Sequence, residues 1–331
     1  MTSDDRARRA RQRDLVRRGY DTISMAYRGD DGQANASSAE DLSRYAGWVA
    51  ELAGLLQAGA RVVDLGCGAG IPATRELTGH GLQVIGVDFS AVQPGCVGSG
   101  LMDSAAYLAH LRREFGAFEA CLAGALSAPV EHCGHWTLYD LAGHLGQGNM
   151  WAAVAVTDKH GDYEAPAAPR DRAALTRWFR GTCGTLLGAL DRDPSSSAWT
   201  IAPPPTVGFW QRRRCLETLI HRWDAEHALG IASPLDPALA ADGVAEVVDT
   251  MAPRQVRLGR ATAPPHAIRL RAGDTGSSWI LGAGEPVATM DATAATLLLV
   301  LWGRLSAEDP AVTWDGDRQK ALASLGGPLV P

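Results

Sequence analysis

The sequence predicts a multidomain chain that is part α/β and part all-α. Three observations predict it. A strand, a glycine-rich turn, a helix and a second strand succeed one another between residues 61 and 88. From about 101 to 229 the apolar residues recur with helical spacing in four long segments. Beyond 266 short alternating runs are separated by turn-forming residues and one apolar helix. These place a partial α/β segment at 1–94, a four-helix bundle at 95–255 and a small α+β domain at 256–331.

Composition narrows the function before any motif is read. At 331 residues the chain has room for two or three domains. The apolar fraction of 46% and charged fraction of 21% are those of a globular protein. A formal charge of −6 argues against nucleic acid or an anionic membrane as the main partner. The basic opening, Arg6 to Arg18, lacks the apolar core of a secretory signal, and the run Leu297 to Trp302 is far too short to span a bilayer. Six cysteines without regular spacing and without a Cys-x-x-Cys word suggest reduced thiols, hence a cytoplasmic protein. A small-molecule substrate is the expected partner; the sequence leaves the oligomeric state open.

Residues 12–27 form the first expected helix, and 40–57 the second, with Leu42, Tyr45, Val49, Leu52 and Leu56 at helical spacing. Arg61 to Leu65 is then a short strand that breaks into glycines. A short helix at about 72–78 leads to a strand from Gln83 to Asp88. This is how a doubly wound, Rossmann-like sheet begins. Gly66, Gly68 and Gly70 let a backbone approach a ligand closely, and Asp88, eighteen residues beyond Gly70, is placed to accept ribose hydroxyls.

The words VVDLGCGAG and VIGVDFS resemble the first two motifs of class I S-adenosylmethionine-dependent methyltransferases. GYDTISMAY is similar to the helix that caps the cofactor pocket in that family. The resemblance implies that Asp64, Gly66, Gly68 and Gly70 line the methionine and ribose side of the cofactor, and that Asp88 binds the ribose. The pattern then stops. After Gln93 comes a linker composition, Pro94 to Gly100, where the family continues through several more strand–helix units. Two parallel strands do not bury both faces of a sheet without help. A vestigial half-domain that no longer methylates is therefore the expected reading, with a methyltransferase as the alternative.

The four helical segments follow. Tyr107 to Leu126 carries one apolar stripe; 137–156 carries Leu138, Leu141, Leu145 and Trp151; 170–190 carries Leu175, Trp178 and Phe179; 209–229 carries Leu216, Leu219, Ile220 and Trp223. Thr137 and Asp171 sit where N-caps are expected. Glu217 and His221 are four apart, so they project from one side of the fourth helix, at the rim of its stripe. His144 holds a similar edge position on the second helix. Two imidazoles and one carboxylate make an open three-ligand set, suited to catalytic zinc or to a ferrous ion. The competing reading is a surface ion pair and a hydrogen-bonded histidine. Glu226 and His227 are read as exposed decoys at the helix end, with His132 and His135 in the loop before the second helix.

HWTLYDLAGHLGQGNMWAA and ETLIHRWDAEHALG resemble the second and fourth helices of the mycothiol-dependent maleylpyruvate isomerase family, one of the DinB-like metal-binding bundles. The resemblance covers about 101–331. It implies that His144, Glu217 and His221 hold a divalent metal, zinc first, that activates the small thiol mycothiol. Cys133-Gly134-His135-Trp136 departs from the family's Pro-Gly-Trp word. Strands are expected at 266–271, 278–281, 287–290 and 312–315, with a helix at 293–305. This unit is similar to the family's C-terminal domain. There the LWGR word offers an arginine to the active-site cleft, which makes Arg304 the candidate catalytic residue; a surface arginine capping a helix is the alternative. The function expected is a metal-dependent, thiol-using isomerase or transferase. A methyltransferase and a non-catalytic metal-binding protein are the other two classes.

Overall fold

The computed structural model describes residues 39–57, 59–65, 73–87 and 104–331. The expected helix at 12–27, the capping-helix word, Gly66, Gly68, Gly70 and Asp88 lie outside the described residues. The chain divides into two compact units, 1–100 and 101–331.

In the N-terminal unit, α1 (Ala39–Gly54) is followed by β1 (Arg61–Leu65), α2 (Ala73–Gly79) and β2 (Gln83–Val87). The strands pair in parallel, from Arg61 opposite Gln83 to Leu65 opposite Val87. A helix between parallel strands is the connection such pairing demands. Val49 and Ala53 of α1 are buried with Leu77 and Leu82, and Val62 and Val84 pack against them. Val63, on the opposite face of β1 from Val62, is 55% exposed.

The C-terminal unit opens with the four expected helices: α3 (Ser104–Cys121), α4 (Leu138–Thr157), α5 (Arg172–Leu190) and α6 (Val207–Ala228). α3 packs chiefly on α6, and α4 on α5. Both anticipated caps are present. The Thr137 hydroxyl accepts from the Asp140 amide while the Asp140 carboxylate accepts from the Thr137 amide, a reciprocal capping box. The Asp171 carboxylate accepts from the Ala174 amide.

α6 is buried on nearly every side, and its polar residues are buried along with its apolar ones. Burying so much charge is tolerable only when each group finds a partner. Arg212 binds Asp242, Arg213 binds Glu246 at 2.7 Å, and Arg222 binds both Glu114 and Glu226 at 2.7 Å. Glu226 is therefore a buried partner of Arg222 and not an exposed helix-end residue, because α3 covers that side of α6.

Asp242 and Glu246 belong to α7 (Pro237–Glu246), capped by Asp236 with proline in the first turn. A π-helical turn (Val247–Met251) and α8 (Ala252–Arg257) continue it. Short Ala-containing segments such as these show little periodicity in sequence; Asp236-Pro237 is the legible signal of a helix start. α7 packs on α6 and on α9 (Ala294–Leu301), so it belongs to the packing of both parts.

The remaining elements are β3 (Ala267–Ala272), β4 (Ser277–Leu281), β5 (Pro286–Ala292), β6 (Thr313–Gly316) and α10 (Arg318–Leu325). The sheet order is β4-β3-β5-β6, with β3 and β5 parallel and the outer pairings antiparallel. All four strands fall within two residues of expectation, whereas α10 was not anticipated. One continuous apolar core runs from Tyr107 in α3 to Leu329, through bundle and sheet alike.

Candidate metal centre

The capping box fixes where α4 begins, and two turns later His144 emerges toward α6. The glycines of its HLGQG word let α4 lie close to its neighbours. A Cβ at Gly146 would fall 2.5 Å from the Trp178 ring, and one at Gly148 would fall 2.9 Å from Arg214 Nη1. The Arg214 guanidinium thus reaches across to α4, donating to the Leu145 carbonyl and to Asn149 Oδ1.

His144, Glu217 and His221 converge. Their ligand atoms all lie within 4.8 Å of one another. His144 Nε2 is 3.4 Å and His221 Nε2 is 3.9 Å from the same Glu217 oxygen, Oε1. The two imidazole rings stand edge to face, 5.1 Å apart. His221 is buried, whereas the His144 side chain is 39% exposed, so the cluster opens on the α4 side. The Trp136 ring lies 4.8 Å from His144 and forms part of the wall.

The second Glu217 oxygen is held from behind, by Arg214 Nη1 at 2.6 Å and Arg213 Nη2 at 3.3 Å. Burial alone would raise this carboxyl's pKa, but the two guanidinium groups outweigh burial and hold it well below the usual carboxylate range. His221 moves the other way from a salt-bridged histidine. Burial lowers its pKa despite the Asp224 carboxylate beside it. The cluster therefore offers an ionised carboxylate and a neutral imidazole near neutral pH, the forms in which each binds a metal.

His221 Nδ1 lies 3.0 Å from Asp224 Oδ2. Asp224 in turn accepts from Arg304 at both oxygens, from Nε at 3.0 Å and from Nη2 at 2.8 Å. Burial would raise the Asp224 pKa; its bonds to His221 and Arg304 lower it. Arg304 also donates to the Trp302 carbonyl at the end of α9. Its guanidinium is buried against Asp224, so the contact it makes at the helix end is an interior one and not at the surface. Asp224 Oδ2, which accepts from Arg304 Nη2, also lies 3.0 Å from His221 Nδ1.

Asp224, Arg213 and Arg214 are site residues the sequence reading missed. The spacing of Asp224, three beyond His221, could have flagged it. Cys133, in the loop before α4, lies 3.7 Å from Asp224 Oδ2 and 3.4 Å from Arg304 Nη2. Burial and the neighbouring Asp224 push its thiol up to about 11, with Arg304 opposing. His227 stays exposed at the end of α6 and contacts Glu131. On the N-terminal unit, Asp64 sits in β1 opposite Gly86.

Two family models match this chain. Residues 108–226 match the Mycothiol maleylpyruvate isomerase N-terminal domain, and 238–323 match the MDMPI C-terminal domain. The C-terminal unit belongs to the mycothiol maleylpyruvate isomerase family. Two solved structures share its fold: a mycothiol-dependent maleylpyruvate isomerase, with a TM-score of 0.51, and a histidine-to-alanine variant of that enzyme, with 0.52. Each is 14% identical, covering 65% of this chain and 95% of the other. No curated protein sequence matches the chain. No helix among the described residues is long and apolar enough to cross a membrane.

Proposed function

We propose that the C-terminal unit is a metal-dependent isomerase or transferase that uses mycothiol, with His144, Glu217 and His221 as the metal ligands. The observation that carries this reading is the convergence of two imidazoles and one ionised carboxylate from two helices, open on the side of His144. The donor set fits a divalent transition ion with positions left for exogenous ligands. When bound, such an ion would lower the pKa of a coordinated thiol, so that thiolate is present near neutral pH.

The chain's own residues prepare that chemistry. Arg213 and Arg214 keep Glu217 ionised and fix which of its oxygens faces the histidines. Asp224 orients His221 by holding Nδ1, leaving Nε2 toward the cluster, and Arg304 holds Asp224 in turn. Cys133 is a poor nucleophile as placed, since its thiol stays protonated until about 11. A thiol co-substrate as the source of the reactive sulfur rests on family membership. Family membership favours maleylpyruvate-type isomerisation among the reactions such a site serves.

Metal analysis of purified protein after reconstitution at neutral pH tests this. The wild type should retain metal, and His221→Ala should lose it, because two remaining ligands rarely hold a zinc ion. Retention of less than roughly a tenth of an equivalent by the wild type would overturn the reading.

A further inference from the structure

The loop between α3 and α4 has two working sides. Backbone bonds from Val130 to Trp136, Cys133 to Val130 and Trp136 to Cys133 tie it into a compact turn. Its inner side carries Cys133, against Asp224 and Arg304, and Trp136, against His144. On its outer side Glu131 and His132 meet His227 from the last turn of α6.

The ligand atoms of Glu131, His132 and His227 all lie within 4.8 Å of one another. His227 Nε2 is 3.0 Å and His132 Nε2 is 4.0 Å from the same oxygen, Glu131 Oε2. The rings are held by stacking. Trp223 lies against His227 with centroids 4.7 Å apart and planes 8° from parallel, and His132 stacks on His227 at 6.0 Å and on Trp223 at 6.1 Å. One indole thus orders two imidazoles whose Nε2 atoms face a common carboxylate oxygen.

We propose that Glu131, His132 and His227 form a second, solvent-facing site for a divalent transition metal. Two borderline nitrogens and one carboxylate oxygen suit zinc, nickel or cobalt over magnesium or calcium. Glu131 is largely exposed and His227 half-exposed, so water completes the coordination. An ion here would tie the loop to the C-terminal end of α6. The same loop walls the inner cluster, so the outer site is positioned to stiffen the inner one; that consequence, unlike the binding itself, rests on the function proposed above.

Zinc titration of the metal-free full-length protein by calorimetry tests the site. The wild type should take up one equivalent more than the His132→Ala/His227→Ala variant, with thermal unfolding of the metal-free proteins unchanged. Glu131→Gln should weaken the outer equivalent by roughly tenfold or more. Equal zinc uptake by the wild type and the double variant would overturn the proposal. His221→Ala separates the two sites. If it binds as much zinc as the wild type while the double variant still loses an equivalent, the inner reading fails and the outer one stands.

Discussion

The two units of this protein invert the usual relation between a conspicuous motif and a complete site. The N-terminal unit carries the most recognisable words in the sequence, VVDLGCGAG and VIGVDFS. Its described residues bury only a small cluster around Val49, Ala53, Leu77 and Leu82, and leave Val63 and Trp48 exposed. The C-terminal unit carries quieter words, yet its core is continuous across bundle and sheet, and each bundle helix contributes completely buried leucine to it, among them Leu111, Leu138, Leu175 and Leu219. A motif specifies a local turn and donor set. A site also needs packed elements behind it, which among the described residues are displayed far more extensively by the second unit.

The sharpest way to break this comparison is Glu217→Gln. It removes a proposed ligand and leaves Arg214 and Arg213 without their shared charge. Breaking a buried pair from one side costs about 3–5 kcal/mol. Chemical denaturation should therefore show a large stability loss alongside loss of metal. A variant as stable as the wild type would mean that the arginines do not depend on Glu217.

Asp224→Asn comes next. It keeps the shape but weakens the hold on both His221 and Arg304, and metal affinity should fall by roughly 10–100-fold. The isosteric change should leave the apolar core intact, so a competition titration with a chelator reads the positioning role directly. An unchanged affinity would refute it.

Packing around the site is tested by two glycines. Gly146→Ala pushes a Cβ into the Trp178 ring and should cost ~1–3 kcal/mol in spite of alanine's better helix propensity. At Gly181, in the middle of α5, nothing lies within 4 Å of an added Cβ, so Gly181→Ala should add ~0.5–1 kcal/mol. Matching signs in thermal unfolding would contradict the close approach of α4 to α5.

The smallest expected effect belongs to the N-terminal unit. Calorimetry with S-adenosylmethionine should give no binding heat, because the described part of that unit offers two strands where a cofactor cleft needs a wider sheet. Micromolar binding that disappears in Asp88→Ala would restore the methyltransferase alternative and make the two units equal partners.

Much of the fold was legible because its signals are local. Helical periodicity marked α3 to α6, Thr137 and Asp171 marked the starts of α4 and α5, and alternation marked β3 to β6. α7 and α10 escaped because short Ala-rich helices leave little periodicity to read. The same limit applies to the site. Glu217 and His221 are readable as a pair from their spacing on one helix, and the family words added His144. Arg213 and Arg214, four and three residues before Glu217, are within helical reach of it by spacing, but their further partners, Glu246 for Arg213 and Leu145 and Asn149 for Arg214, depend on α7 and α4 lying against α6.

By itself, then, the sequence determined the helices, the strands and the donor chemistry, each of which is set within a few residues by backbone sterics, capping and hydrophobic period. Tertiary structure decided which donors meet. Of nine histidines it brings His144 to His221 and leaves His227 for Glu131, 96 residues away. It also carries Arg304 across 80 residues onto Asp224, the carboxylate that His221 meets. The pairing of Arg304 with Asp224 follows from burial, because a charged group that loses water on packing must be met by whatever partner the packing brings to it; the exposed His227–Glu131 pair follows from where the loop before α4 meets the end of α6.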